Sequence, residues 1–267
     1  MMNIQSLKLV SFSPTGTTRA VLQGVARGIN ADSVEFIDIT HPDTRKQPLT
    51  LSENDLLVMG VPVYMGRVPA LLSDWLGALD ARQTPAAGIV VYGNRAYENA
   101  LLELMDVLQE RGCVPIAGAA FIGEHSFSSP DIPTAHGRPD ASDLRQAEQF
   151  GRGIAGTLGD VTSPDRVAGI QFPGSRPYDG VAKLWDVDFI AIGDECSQCG
   201  LCAEVCPMGA IDPENSTMID IEKCITCCAC IKNCPQNARG IKPGPVQDAQ
   251  HRLSNMFHER KEPECSI

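Results

Sequence analysis

Nine of the eleven cysteines in this 267-residue chain fall between Cys196 and Cys234. They form a doubled motif. Cys196, Cys199, Cys202 and Cys206 are followed by Pro207, and Cys224, Cys227, Cys230 and Cys234 by Pro235, 28 residues later, with Ala210 repeated as Ala238. A unit this short cannot bury a sufficient hydrophobic core, so it needs a covalent or metallic staple. An odd cysteine total crowded into one segment argues against a secreted disulfide framework and for metal binding in a reducing compartment. Three thiolates at steps of three residues can wrap three irons of a cubane. The fourth iron then takes its sulfur from the Cys-Pro of the other repeat. One [4Fe–4S] cluster is therefore expected on Cys196, Cys199, Cys202 and Cys234, and a second on Cys224, Cys227, Cys230 and Cys206. Structural zinc also uses paired cysteines, but it gives no reason for a third cysteine and a trailing Cys-Pro, twice over. Cys228 takes the place of Gly200 and reads as a small neighbour of the ligand Cys227. Cys113 and Cys265 read as plain thiols.

The rest of the chain has a different rhythm. Short apolar runs at 7–12, 34–39, 56–61, 88–92 and 115–122 alternate with helical patterns at 17–29, 69–79, 98–111 and 143–158. Five strands with intervening helices imply a parallel sheet covered on both faces. Between the first run and the first helix lies Ser13-Pro14-Thr15-Gly16-Thr17-Thr18. A glycine lets the backbone close on an anion, and hydroxyls and amides at a helix N-terminus bind phosphate. The loop has no lysine and matches neither a triphosphate nor a dinucleotide motif. It suits one phosphomonoester, on Ser13, Thr15, Gly16, Thr17 and Thr18. The expected division is 1–160, a linker at 161–190, a cysteine module at 191–240, and a tail at 241–267. Phe172, Tyr178, Leu184 and Trp185 suggest that the linker packs. Val246, Ala249, Leu253 and Phe257 give the tail the spacing of an amphipathic helix packed back on the protein.

The double cysteine motif resembles that of bacterial two-cluster ferredoxins over roughly 50 residues. The hydroxyl loop resembles the phosphate signature of flavodoxins, which implies FMN and a strand order of 2-1-3-4-5. In such a sheet the cofactor sits where the order reverses, outside the carboxyl ends of the strands. The loops after the third and fourth runs should then meet the flavin: Pro62, Val63, Tyr64, Met65, Gly66 and Arg67, and Gly93, Asn94, Arg95, Tyr97 and Asn99. Tyr64 or Tyr97 would stack on the ring, with ordinary packing as the alternative for each. Arg67 would either stabilise the reduced, anionic flavin or form a surface ion pair. His125, ending the fifth run, would be a proton donor to the flavin, a contact with the ferredoxin module or a structural loop histidine.

Along nearly its whole length the chain resembles fused flavodoxin–ferredoxin proteins. The resemblance also rests on the segments 62–69, 93–95, 123–126 and 137–140, and on Arg260-Lys261-Glu262-Pro263-Glu264. It implies an α/β fold: a flavodoxin-like five-stranded parallel sheet with a C-terminal α+β two-cluster ferredoxin module, holding FMN and two [4Fe–4S] clusters. Two functions follow. One is a carrier exchanging electrons with redox partner proteins. The other is an FMN-dependent reductase of a small acceptor, a quinone or nitro compound, with a built-in ferredoxin donor. The net charge of −11 and an aromatic content of 5% exclude nucleic acid as a partner. An acidic surface suits basic redox partners. No apolar run reaches the roughly 20 residues that span a bilayer, and the first residues lack a signal peptide's charged and apolar regions. A cytoplasmic protein without membrane insertion is expected.

Overall fold

The apolar runs become the centre of one twisted sheet. The computed structural model describes residues 4–160, 169–178 and 187–267. In chain order, β1 (Ser6–Ser11), α1 (Thr17–Ile29), β2 (Val34–Asp38), β3 (Thr50–Leu51) and β4 (Asp55–Pro62) come first. Next come α2 (Ser73–Gly77), β5 (Asp80–Ala81), β6 (Thr84–Tyr92), α3 (Ala100–Glu110), β7 (Cys113–Ile122) and α4 (Ala141–Asp160). The main sheet has the order β2-β1-β4-β6-β7 and is parallel throughout this stretch. That is the expected 2-1-3-4-5 order of a flavodoxin-like sheet, the short pair β3–β5 standing apart.

Because both faces are covered, the central strands read as unbroken apolar runs. One face packs Leu7, Leu9 and Phe121 against Val21, Leu22 and Val25 of α1 and Phe150 and Ile154 of α4. The other packs Val10, Phe12 and Met59 against Trp75 of α2 and Leu104 and Met105 of α3. Helices α1 and α4 touch through glycines. A Cβ on Gly28 would lie 2.0 Å from the Glu148 carbonyl oxygen, and one on Gly151 would lie 2.1 Å from that of Val25.

Helix boundaries follow local chemistry. The expected helix at 69–79 is instead a 3-10 turn, Ala70–Leu72, running into the short α2, because Pro69 keeps an extended ψ of 119°. The next starts at Ala100 rather than Glu98, whose φ of 45° is left-handed. Helix α4 starts earlier than its apolar pattern, on a reciprocal cap. Asp140 Oδ1 accepts the amides of Ser142 and Asp143, while Asp143 Oδ2 accepts that of Asp140.

The cysteine module pairs β8 (Ile190–Ile192) with β9 (Arg239–Ile241) around the short helices α5 (Leu201–Glu204) and α6 (Ala229–Lys232). Phe189, Ile211 and Val246 supply its small core. The tail then departs from a simple helix. After α7 (Pro245–Met256) it forms β10 (Glu264–Ser266), which adds antiparallel to β7 as a sixth strand of the main sheet. Three residues, Glu264, Cys265 and Ser266, are too few to signal a strand by periodicity; pairing with an open sheet edge creates it. In the expected linker, Phe172 packs on the sheet and Tyr178 donates to Asp106, while Leu184 and Trp185 lie outside the described residues.

Arg138 joins the tail to this frame. It is 7% exposed, pairs with Asp143 through both carboxylate oxygens, and donates to the carbonyl of Lys261 at 2.8 Å. Among the described residues, removing Arg138 would leave buried Asp143 with only the longer charged contact to Arg260, at 3.4 Å. Arg138→Ala is therefore expected to lower unfolding free energy by about 3–5 kcal/mol, read from urea melts.

Candidate functional site

Above the carboxyl ends of β1, β4, β6 and β7 the sheet opens into a cleft of about 570 Å³. It lies beside β1, where the strand order reverses, and its size is that of a small-molecule or cofactor site. Ser13, Thr15, Thr17 and Thr18 form one end; Pro62, Val63, Tyr64, Met65, Gly66, Gly93 and Arg95 form the walls. Gly16 shapes the first loop without lining the cleft. It holds a left-handed φ of 84° at the start of α1 and offers no side-chain cap. Ser13 Oγ instead accepts the Arg19 amide at 3.0 Å. Thr18 Oγ1 is buried with no protein partner. An unsatisfied buried hydroxyl beside first-turn amides fits a bound phosphate.

The next loop is a tight turn. Tyr64 and Arg67 exchange both backbone hydrogen bonds at 3.0 Å, with Met65 and Gly66 left-handed at φ 53° and 79°. Such a two-residue turn needs positive φ at both positions, which Met65 tolerates at a cost. Met65 is half exposed at the cleft rim. Gly93 lies under His125, since a Cβ there would come within 2.4 Å of the imidazole.

Four residues expected at the flavin stand outside the cleft lining. Arg67 forms a two-pronged pair with Glu103, both contacts at 2.8 Å, and its guanidinium lies over the Tyr178 ring at 4.9 Å. Asn94 donates to the carbonyls of Phe257 and Glu259 at 2.7 and 2.8 Å. Tyr97 is 8% exposed and donates to Glu264 at 2.6 Å. Asn99 Oδ1 accepts the Ser175 amide at 2.9 Å. Asn94 and Tyr97 thus anchor the tail, while Asn99 and Arg67 hold the segment after α4. Their sequence neighbours face the cleft, and each stretch carries left-handed residues, Met65 and Gly66 before Arg67, Asn94 and Glu98 in the other loop.

The cysteine module supplies part of the cleft wall. Ile225 and Thr226, between Cys224 and Cys227, face it, as do Arg252, Leu253, Met256 and Phe257 from α7 and the residue after it. Thr226 Oγ1 is a second buried hydroxyl without a partner. The spacing of Leu253 and Phe257 signals a packed face; only the fold reveals that this face borders the cleft.

The eight motif cysteines separate into two groups. Cys206, Cys224, Cys227 and Cys230 line one small cavity, and Cys196, Cys199, Cys202 and Cys234 line another. Each set takes three thiols from one repeat and the Cys-Pro thiol of the other. Among the described residues, no three His, Cys, Asp or Glu side chains are arranged around a single ion. The two loops share backbone form. Gln198 and Gly200, and at the same places Thr226 and Cys228, have positive φ between 53° and 79°. Alternating left-handed residues turn amides toward a common point and make an anion nest. Burial pushes the Cys230 thiol up to about 12, and those of Cys224 and Cys227 up as well. Such thiols keep their protons at neutral pH unless a metal replaces them. The donors and nests fit iron–sulfur clusters.

The two sites touch. Ile225 lines both the cleft and the cavity of Cys206, Cys224, Cys227 and Cys230. Tyr64 bridges the same gap: burial raises its hydroxyl well above the ordinary value, and the neighbouring Cys227 and Cys228 add to the rise.

Residues 10–127 match the family model of NADPH-dependent FMN reductases, and residues 189–250 match that of a 4Fe-4S dicluster domain. The two matches in one chain are those of a flavodoxin-like FMN domain fused to a 4Fe-4S dicluster domain. Among solved structures the fused chain is similar to a flavodoxin from Archaea, at 16% identity and a TM-score of 0.40, over 60% of this chain and 99% of that one. It is also similar to flavodoxin 1 of Bacillus cereus, at 20% identity and a TM-score of 0.40, over 59% and 98% respectively. Curated proteins give no match. The two domains support an electron-transfer or oxidoreductase role. Among the described residues no helix is long and apolar enough to cross a membrane.

Two outcomes are expected. Tyr97→Phe should leave flavin absorbance and affinity unchanged while lowering stability by about 1.5–3 kcal/mol, the range for a hydrogen bond to a charged group, measured by denaturant unfolding. His125 lines the cleft, and its Nδ1 accepts the Phe127 amide at 3.0 Å. Burial first, then the charges of Lys232 and Arg95, push it down to about 4. The unfolded chain would bind a proton below about 6.5, whereas the folded chain holds out to about 4. The stability it contributes is therefore full above pH 6.5 and is lost as pH falls from there toward 4. A His125→Gln variant should flatten that part of the stability–pH curve.

Proposed function

We propose that the chain is an electron-transfer protein. It links FMN to two [4Fe–4S] clusters and exchanges electrons with redox partner proteins. FMN supplies one- or two-electron chemistry with proton uptake, and the clusters supply single-electron steps. Ser13, Thr15, Gly16, Thr17 and Thr18 would hold the flavin phosphate; Pro62, Val63, Tyr64, Met65, Gly66, Gly93 and Arg95 would border the ring. Each cluster would take three cysteines of one repeat and the Cys-Pro cysteine of the other. A cytoplasmic, reducing setting suits such thiolate ligands.

The observation that carries this reading is the shared wall at Ile225. It makes the cavity of Cys206, Cys224, Cys227 and Cys230 the one adjoining the flavin cleft, and the other cavity the outer one. The order of cofactors is then flavin, inner cluster, outer cluster. Exposed Cys199 leaves the outer site open to a partner protein. His125 presents a neutral imidazole to the cleft. Its Nδ1 is an acceptor, so the proton sits on Nε2. The reductase alternative, acting on a quinone or nitro compound, needs free space over the ring. Leu253, Met256 and Phe257 from the chain's own tail stand at the cleft, which favours the carrier.

Cysteine variants test the order. Cys206→Ala and Cys196→Ala should each lose about four of eight irons. With a small low-potential donor that can reduce either cluster directly, only Cys206→Ala should slow reduction of the flavin in stopped flow, by about tenfold or more, as transfer ceases to be intramolecular. Equal slowing by both variants would refute the proposed order.

A further inference from the structure

The two cysteine loops are related by a shift of 28 residues, so each position at one cavity has a counterpart at the other. Ala210 answers to Ala238, and the left-handed residues match in place. Several lining pairs differ in size or polarity, but one differs in charge. Ile211 lines the inner cavity, with Phe189, Ile190 and Ile219 near it. Its counterpart at the outer cavity is Arg239.

Arg239 is 5% exposed. One guanidinium nitrogen, Nη2, donates to the Ser216 carbonyl; Nη1 is buried and has no partner. Ser216 lines the same cavity, and its Oγ is likewise buried and unpartnered. A buried cation with an unmet donor is costly. Among the described residues the Ser216 carbonyl is the partner this guanidinium has, whereas an anionic cluster in the cavity would offset the remaining cost.

We propose that Arg239 sets the reduction potential of the outer cluster above that of the inner one, so that the first electron to enter the pair rests on the outer site. The inference rests on reading the two cavities as [4Fe–4S] sites. Reduction adds one negative charge to a cluster, and a fixed positive charge with a free N–H stabilises that state. The apolar counterpart Ile211 offers the inner cluster nothing comparable. Arg239 lines the outer cavity and not the inner one, so its charge acts on the inner site only from farther off. A smaller shift of the same sign is therefore expected at the inner cluster.

The test is an anaerobic potentiometric titration of the full-length holoprotein, followed by electron paramagnetic resonance, after iron and sulfide have been assayed. In the unaltered chain the two clusters should titrate separately. Arg239→Gln should make reduction of the higher-potential cluster less favourable by at least tenfold, about 59 mV for one electron, and move the other less. Arg239→Lys keeps the charge and should keep the separation. Coincident potentials in the unaltered chain, or equal or absent shifts in a fully loaded Arg239→Gln protein, would overturn the assignment. Should the glutamine variant lose iron, a fully loaded Arg239→Lys protein without the separation would overturn it equally. An unaltered chain that assembles fewer than two clusters would instead defeat the reading of the cavities and leave the assignment without its object.

Discussion

The crossed pairing of cysteines is the constraint on which the rest depends. Each cavity is lined by three thiols of one repeat and the Cys-Pro thiol of the other, Cys206 lying at the loop of Cys224 and Cys234 at that of Cys196. This exchange folds the module on itself with little hydrophobic core to help. It also fixes the loop between Cys224 and Cys227, whose Ile225 and Thr226 then become a wall of the neighbouring cleft.

Polar contacts hold the two halves in register. Lys232 of α6 pairs with Glu124 and donates to the Ser128 carbonyl at 2.6 Å, both just beyond β7. Arg45 donates to the Pro207 carbonyl at 2.6 Å, beside the crossing cysteine Cys206. The tail adds a strap. From α7 it crosses the cleft, is gripped by Asn94 and Arg138, and ends as a strand on β7. Joining the domains in one chain gives each cofactor a high effective concentration of the next, and these contacts make the geometry specific as well as close.

Much of this was legible in the sequence, for identifiable reasons. Buried parallel strands leave continuous apolar runs, so five strands and their order followed from the apolar pattern together with the flavodoxin resemblance. Cysteine spacing carries its own geometry, and the motif cysteines line two cavities, four at each. The flavin loops were legible only by segment. Tyr64 and Arg95 border the cleft, whereas Tyr97 and Asn94, equally polar or aromatic, turn the other way in a loop that carries left-handed residues. Arg67 was drawn off by Glu103, 36 positions away, a distance at which a sequence gives no warning. The strand at Glu264–Ser266 left no trace, since its partner, not its composition, makes it a strand.

The most direct measurement is the cofactor content of the protein purified without air. The account predicts one FMN with about eight iron atoms and eight acid-labile sulfides per chain. A colourless preparation carrying zinc, without flavin or sulfide, would contradict it.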